Sequence, residues 1–69
     1  MSTLQTLSRG LQVLEIVSRS STGLSIAEIA QVLGVHRAIA YRLVSTLEEH
    51  LLVVRDGEGR IGIGGIDMW

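Results

Sequence analysis

The stretch SIAEIAQVLGVHRAIAYRLVSTL, residues 25–47, decides the fold. Ser25 followed three residues later by Glu28 is a capping-box signature, with Ser25 as N-cap and Glu28 at the third helical position. Ile26, Ile29, Ala30 and Leu33 then recur at helical spacing and form one buried face. Gly34 supplies the left-handed residue that ends a helix. A second helix over residues 36–50 follows after a short turn, with Ala40, Leu43, Val44 and Leu47 as its inward stripe. Two helices joined by a tight turn containing Gly form a helix-turn-helix. Ala27, Gly34 and Ala40 place small residues where the two helices are expected to approach closely.

Upstream, Leu4, Leu7, Leu11 and Leu14 recur at three- and four-residue steps and predict a helix over residues 3–20. Val13, Ile16 and Val17 widen its apolar arc, while Arg9, Gln12, Glu15 and Arg19 fill much of the remainder. The arc is broader than one small core requires. It fits a central core helix, or a helix with one edge on this domain and the other on a second subunit. In the second case Leu4, Leu7 and Leu11 are the expected dimerisation residues. Downstream of His50 the period changes. Leu51, Leu52, Val53 and Val54 are β-prone, Asp56-Gly57-Glu58-Gly59 reads as a turn, and Arg60-Ile61-Gly62-Ile63 as the returning strand. The expected architecture is mainly α, a winged helix-turn-helix of three helices plus a β-hairpin wing, over residues 1–64. Residues 65–69, with Ile66 and Trp69, read as the start of a linker.

Composition bounds the chemistry. The chain has 69 residues, no Cys, no Pro and no Phe, and 46% of it is apolar. A chain of this size buries only about 60% of the surface it exposes when unfolded, so its stability is marginal. Without Cys there is no disulfide scaffold, zinc ribbon, iron–sulfur site or thiol nucleophile. Tyr41 and Trp69 are its aromatic residues, so the core has to be aliphatic. No apolar run approaches the roughly 18 residues of a membrane span, and the start lacks a signal-peptide pattern. These features predict a soluble cytoplasmic protein with no membrane partner.

Charge is uneven around a net −1. Arg9, Arg19, Arg37 and Arg42 outnumber Glu15 and Glu28 before residue 48, whereas five acids face Arg55 and Arg60 after it. Residues 36–46 contain Arg37, Tyr41, Arg42, Ser45 and Thr46 and no acid. On a helical projection Arg37, Ala38, Tyr41, Arg42 and Ser45 lie opposite the inward stripe. Arg37 in the first turn and Glu48 and Glu49 in the last both oppose the helix macrodipole, at a few tenths of a kcal/mol each. The arrangement concentrates positive potential at one end, as a helix entering a DNA groove requires. A solvated face with unimportant charges is the plain alternative.

Read in order, these segments resemble the DNA-binding domain of the isocitrate-lyase-regulator (IclR) family of bacterial transcription factors. Residues 7–14 look like its "R-a-L-x-(I/V)-L" first helix, and residues 24–30 like its "L-s-l-x-e-I-a". Residues 34–43 are similar to its "G-l-p-(k/r)-s-T-(v/a)-(y/h)-R-L" recognition segment. Residues 53–57 and 61–64 resemble the wing and its closing "Y-x-L-G". Departures fall at Ala38 and Ile39, where the family carries Ser and Thr hydroxyls, at Leu51, where Gly is common, and at Ile61, where the wing has Tyr. The resemblance implies sequence-specific binding of duplex DNA, with the helix near residues 36–50 in the major groove. It also implies a homodimer on a palindromic operator, in a repressor or activator associated with the nucleoid. Arg42 matches the family's most recurrent Arg and is expected on a phosphate. A small-molecule effector would act through a C-terminal domain joined by the linker.

The remaining candidates are Arg55 and Arg60, which flank the wing turn and are positioned for the DNA backbone or minor groove. Asp56 and Glu58 offer them local salt bridges instead. Ser25 is a cap first, with a phosphate contact from that helix N-terminus second. His36 and His50 stand about 21 Å apart along one helix and share no metal. Residues 57–62 match G-x-G-x-x-G, but no helix and second strand follow as a dinucleotide fold needs. Nothing places Ser, His and Asp as a triad, so no enzyme and no cofactor are expected. The rival to DNA binding is a winged helix that binds another protein through its apolar first helix.

Overall fold

The computed structural model describes residues 4–64. Three helices, α1 (Gln5–Ser18), α2 (Ile26–Leu33) and α3 (Arg37–Glu49), precede the strands β1 (Val53–Arg55) and β2 (Ile61–Ile63). This is the mainly helical winged helix-turn-helix expected from the sequence. The linker reading of residues 65–69 lies outside the described residues.

Local chemistry sets each boundary. Ser25 is extended, its Oγ accepts the Glu28 N–H at 3.1 Å, and Glu28 Oε1 accepts the Ser25 N–H at 2.9 Å. Both halves of the capping box are therefore made, a feature that typically stabilises by about 1 kcal/mol. Gly34, at φ 70°, closes α2 in the left-handed region. In contrast, α3 starts from an extended His36 with no side-chain cap. At its far end Leu51 and Leu52 do not begin the strand, as their β-propensity implied. Leu51 adopts φ 63°, and the Leu52 N–H bonds back to the Leu47 carbonyl at 3.0 Å, closing the helix in a Schellman turn. Leucine thus stands where glycine fits without strain, a conformation that costs about 1 kcal/mol.

The core is wholly aliphatic. Val13 and Val17 of α1, Ile29 and Ala30 of α2, Ala40, Leu43 and Val44 of α3, Val53 of β1 and Ile61 of β2 are buried together. The two edges of α1 part here: Leu4, Leu7 and Leu11, the residues expected at a dimer contact, are 58, 60 and 56% exposed, whereas Val13 and Val17 are 0 and 1% exposed. The helix turns its buried Gly10, Val13 and Val17 inward and leaves those leucines outside; a Cβ on Gly10 would meet nothing within 4 Å, so close approach does not dictate this edge. One expectation needs correction: three small residues do not line the α2–α3 approach. Ala27 and Gly34 are exposed, and Ala40 alone of the three is buried.

The hairpin is antiparallel, with Val53 opposite Ile63 and Arg55 opposite Ile61. Its other edge is used as well. Leu24 and Ile61 exchange both backbone hydrogen bonds, at 3.0 and 2.7 Å, so the loop before α2 forms one more rung. Gly23 makes this approach possible. It lies at φ 84°, and a Cβ there would sit 3.0 Å from the Ile61 carbonyl oxygen. The wing is thereby fastened to the start of α2 by backbone as well as by side chains.

Candidate nucleic-acid interface

The outer face of α3 follows from its inward stripe. With Ala40, Leu43 and Val44 buried, Arg37, Ala38, Tyr41 and Arg42 are exposed and Ser45 is half-buried. No acid lies on the helix before Glu48. The ion pairs among the described residues are Arg55–Glu48 and Arg60–Glu28, which leaves Arg37 and Arg42 without a carboxylate partner. Ile39, at 38% exposure, sits beside this face toward α1. The uncapped first turn of α3 directs free N–H groups and the Arg37 charge to the same end.

The wing arginines are placed differently. Arg55 shares a strand face with Val53 and, across the ladder, with buried Ile61. Strand alternation therefore turns its side chain toward α3 rather than outward. Its Nη2 lies 3.3 Å from Glu48 Oε1, and its guanidinium carbon stands 5.2 Å from the centre of the Tyr41 ring. The Arg55 Nε is buried without a hydrogen-bond partner. Arg60 turns back to the loop before α2. Its Nε and Nη2 donate to the Thr22 and Gly23 carbonyls, both at 3.0 Å, and Glu28 Oε1 lies 3.7 Å away. Neither arginine pairs with the adjacent Asp56 or Glu58. Asp56 instead accepts the Glu58 and Arg60 backbone N–H groups at 2.8 and 2.9 Å and so builds the turn.

Two carboxylates register these roles. The Ser25 N–H, then the Arg60 charge, holds the Glu28 carboxyl below its ordinary value. The Arg60 N–H, followed by that of Glu58, does the same for Asp56. Ser25 itself acts within the cap. His36 and His50 are the N- and C-caps of α3, at opposite ends of the helix. Among the described residues no group of three potential metal ligands exists, and no helix is long and apolar enough to cross a membrane.

Two features of this surface lie outside the site residues expected from the sequence. Arg9 of α1 and Arg42 of α3 line one cleft between the two helices. Glu48, seven residues after Tyr41, shares its stripe and completes the Arg55 contact; strand parity and helical periodicity together carry that signal. The exposed leucine edge of α1 also borders an apolar groove of about 370 Å³, lined by Leu7, Leu11, Leu14, Leu43, Leu47 and Leu52 among others.

A family model described as the IclR helix-turn-helix domain matches residues 6–57, from the second residue of α1 to the wing turn. The chain belongs to the IclR helix-turn-helix family. Two solved structures agree with that assignment. The Agobacterium tumefaciens repressor BlcR is 28% identical over 91% of this chain, with a TM-score of 0.78. The Thermotoga maritima IclR is 26% identical over 88% of this chain, with a TM-score of 0.82. The chain spans a quarter of the length of each, 25% in both cases. No curated relative matches it. This IclR-type domain is thus a DNA-binding helix-turn-helix of a transcription-regulator family.

Proposed function

We propose that the domain reads a specific duplex sequence by laying α3 in the major groove. One observation carries the reading: the exposed face of α3 bears two arginines without acidic partners, whereas the described charges of the wing and of α2 that pair do so within the fold. Arg37, Ala38 and Tyr41 then face base edges or nearby phosphates, Arg42 and Ser45 the backbone. Arg55 supports this surface from beneath by steadying Tyr41, and Arg60 holds the wing on α2; either reaches DNA only by leaving those contacts. Ser25 contributes through the start of α2. The exposed Leu4, Leu7 and Leu11 support a homodimer, which on DNA implies a palindrome with half-sites one or more helical turns apart. An effector-binding domain beyond this chain would regulate it, as repressor or activator.

The test is anisotropy of a labelled duplex, drawn from a selected pool, titrated at several salt concentrations beside Arg42→Ala. Binding that weakens steeply with salt, with a shallower slope for the variant, is expected. A second reading is favoured by the exposed leucine edge and its groove: a protein-binding module that never touches DNA. It requires that folded, dimeric protein fail to bind duplex at low salt, and that Leu7→Ser rather than Arg42→Ala abolish partner binding.

A further inference from the structure

A cleft of about 280 Å³ runs between the first half of α1 and the flank of α3, lined by Thr6, Arg9, Ile39, Arg42, Leu43 and Thr46. Its ionisable lining is two arginines and no carboxylate. Neither arginine is in an ion pair among the described residues. Two guanidiniums on one cleft repel each other, and an anion between them reverses that term. Ile39 and Leu43 give the cleft an aliphatic side, which strengthens a charge interaction relative to open water. The Thr46 hydroxyl proton is committed to the Arg42 carbonyl at 2.9 Å, so the donors left are the two guanidiniums and the Thr6 hydroxyl. Planar arginine forks match the oxygens of a phosphate. On α3 the cleft residues Ile39, Arg42 and Thr46 flank the exposed face on the side away from Tyr41 and Glu48, where the wing sits.

We propose that Arg9 and Arg42 together hold one DNA backbone phosphate in this cleft. Helix α1 then fixes the duplex alongside α3, and Arg9 is a further binding residue. The proposal rests on the DNA-binding reading above and deepens it. Clamped by the cleft on one flank and met by the wing on the other, α3 has its rotation in the groove set from both sides.

The experiment is the same salt-dependent anisotropy titration with wild type, Arg9→Gln, Arg42→Gln, the double variant and Arg9→Lys, each checked for folding by its thermal melt. Arg9→Gln should lower the slope of log affinity against log salt by up to about 0.9, the value of one phosphate contact. It should weaken binding about ten- to a hundredfold, as loss of one hydrogen bond to a charged group does. Arg9→Lys should restore most of the slope. The double variant should be non-additive, because both groups act on one phosphate. Unchanged slope and affinity in Arg9→Gln, while wild type binds with salt dependence, overturns the clamp and leaves DNA binding standing. Failure of wild type to bind overturns the reading beneath it as well. Should Arg9→Gln melt below the assay temperature, the wild-type Arg Nε–H signals decide: those of Arg9 and Arg42 move together on adding duplex, or Arg9 stays in place and the clamp is wrong.

Discussion

Helix α2 begins with Ser25 and Glu28 satisfying each other's backbone N–H groups, whereas α3 begins with His36, whose side chain caps nothing, and with the cation Arg37. The two starts belong to neighbouring helices of similar core burial. The first uses its charge inward: Glu28 caps the helix and also meets Arg60 of the wing. The second has orphan donors and positive charge facing outward, which is locally unfavourable. Stability chemistry is thus concentrated at α2 and, on the proposed reading, binding chemistry at α3. On that reading, the helix rule broken at the exposed, acid-free start of α3 marks where an outside anion completes the structure.

The largest effect expected from that contrast is at Arg37. Arg37→Glu should weaken duplex binding about a hundredfold, or roughly 3 kcal/mol. It should also raise thermal stability slightly, because an anion suits the first turn of a helix. An anisotropy titration paired with a thermal melt checks both signs, and a variant that binds normally breaks the contrast. Ser25→Ala should act on stability alone. Loss of the cap should cost about 1 kcal/mol and lower Tm by about 4–8 °C, with duplex affinity retained by the folded fraction.

Smaller still is the change at the other end of α3. Leu51→Gly should stabilise by about 0.5–1 kcal/mol in chemical denaturation, because a residue at φ 63° and 66% exposure releases strain while losing little packing. An unchanged midpoint would mean that Leu51 is held by contacts in an assembly. The mildest effect is on acidification. Glu28 and Asp56 have carboxyls below their ordinary values in the folded chain. The unfolded chain therefore takes up protons first, so their stabilisation is present above about pH 4 and is lost as pH falls further. Hydrogen exchange at pH 3 should show the start of α2 and the wing turn loosening before α3, whose start has no acid to protonate.

Much of this was legible because the signals are local. Ser25 and Glu28 are three residues apart, Gly34 ends a helix by its own backbone freedom, and Asp56-Gly57-Glu58-Gly59 turns the chain within a few bonds. The outer face of α3 followed from Ala40, Leu43, Val44 and Leu47 by periodicity alone. Failures came where two local rules competed. Leu51 and Leu52 have strand-like side chains, yet closing α3 satisfied the carbonyls of Leu47 and Glu48 and took precedence. On α1 two apolar edges were open to the core, and tertiary packing buried Gly10, Val13 and Val17 and left Leu4, Leu7 and Leu11 outside.

The sequence by itself determined three helices, a turn between the last two, a hairpin after them and an arginine-bearing face without acids. Each of these depends on spacing within a few residues, and backbone geometry converts spacing into faces. Tertiary structure alone decided which edge of α1 is buried and which is left open. It alone brought Arg60 to Thr22, Gly23 and Glu28, carried Arg55 over Tyr41 to Glu48, and set Arg9 across a cleft from Arg42. The physical reason is that these partners are far apart along the chain. A guanidinium bonds whatever acceptor the packing of the aliphatic core presents to it, and no local period encodes that meeting.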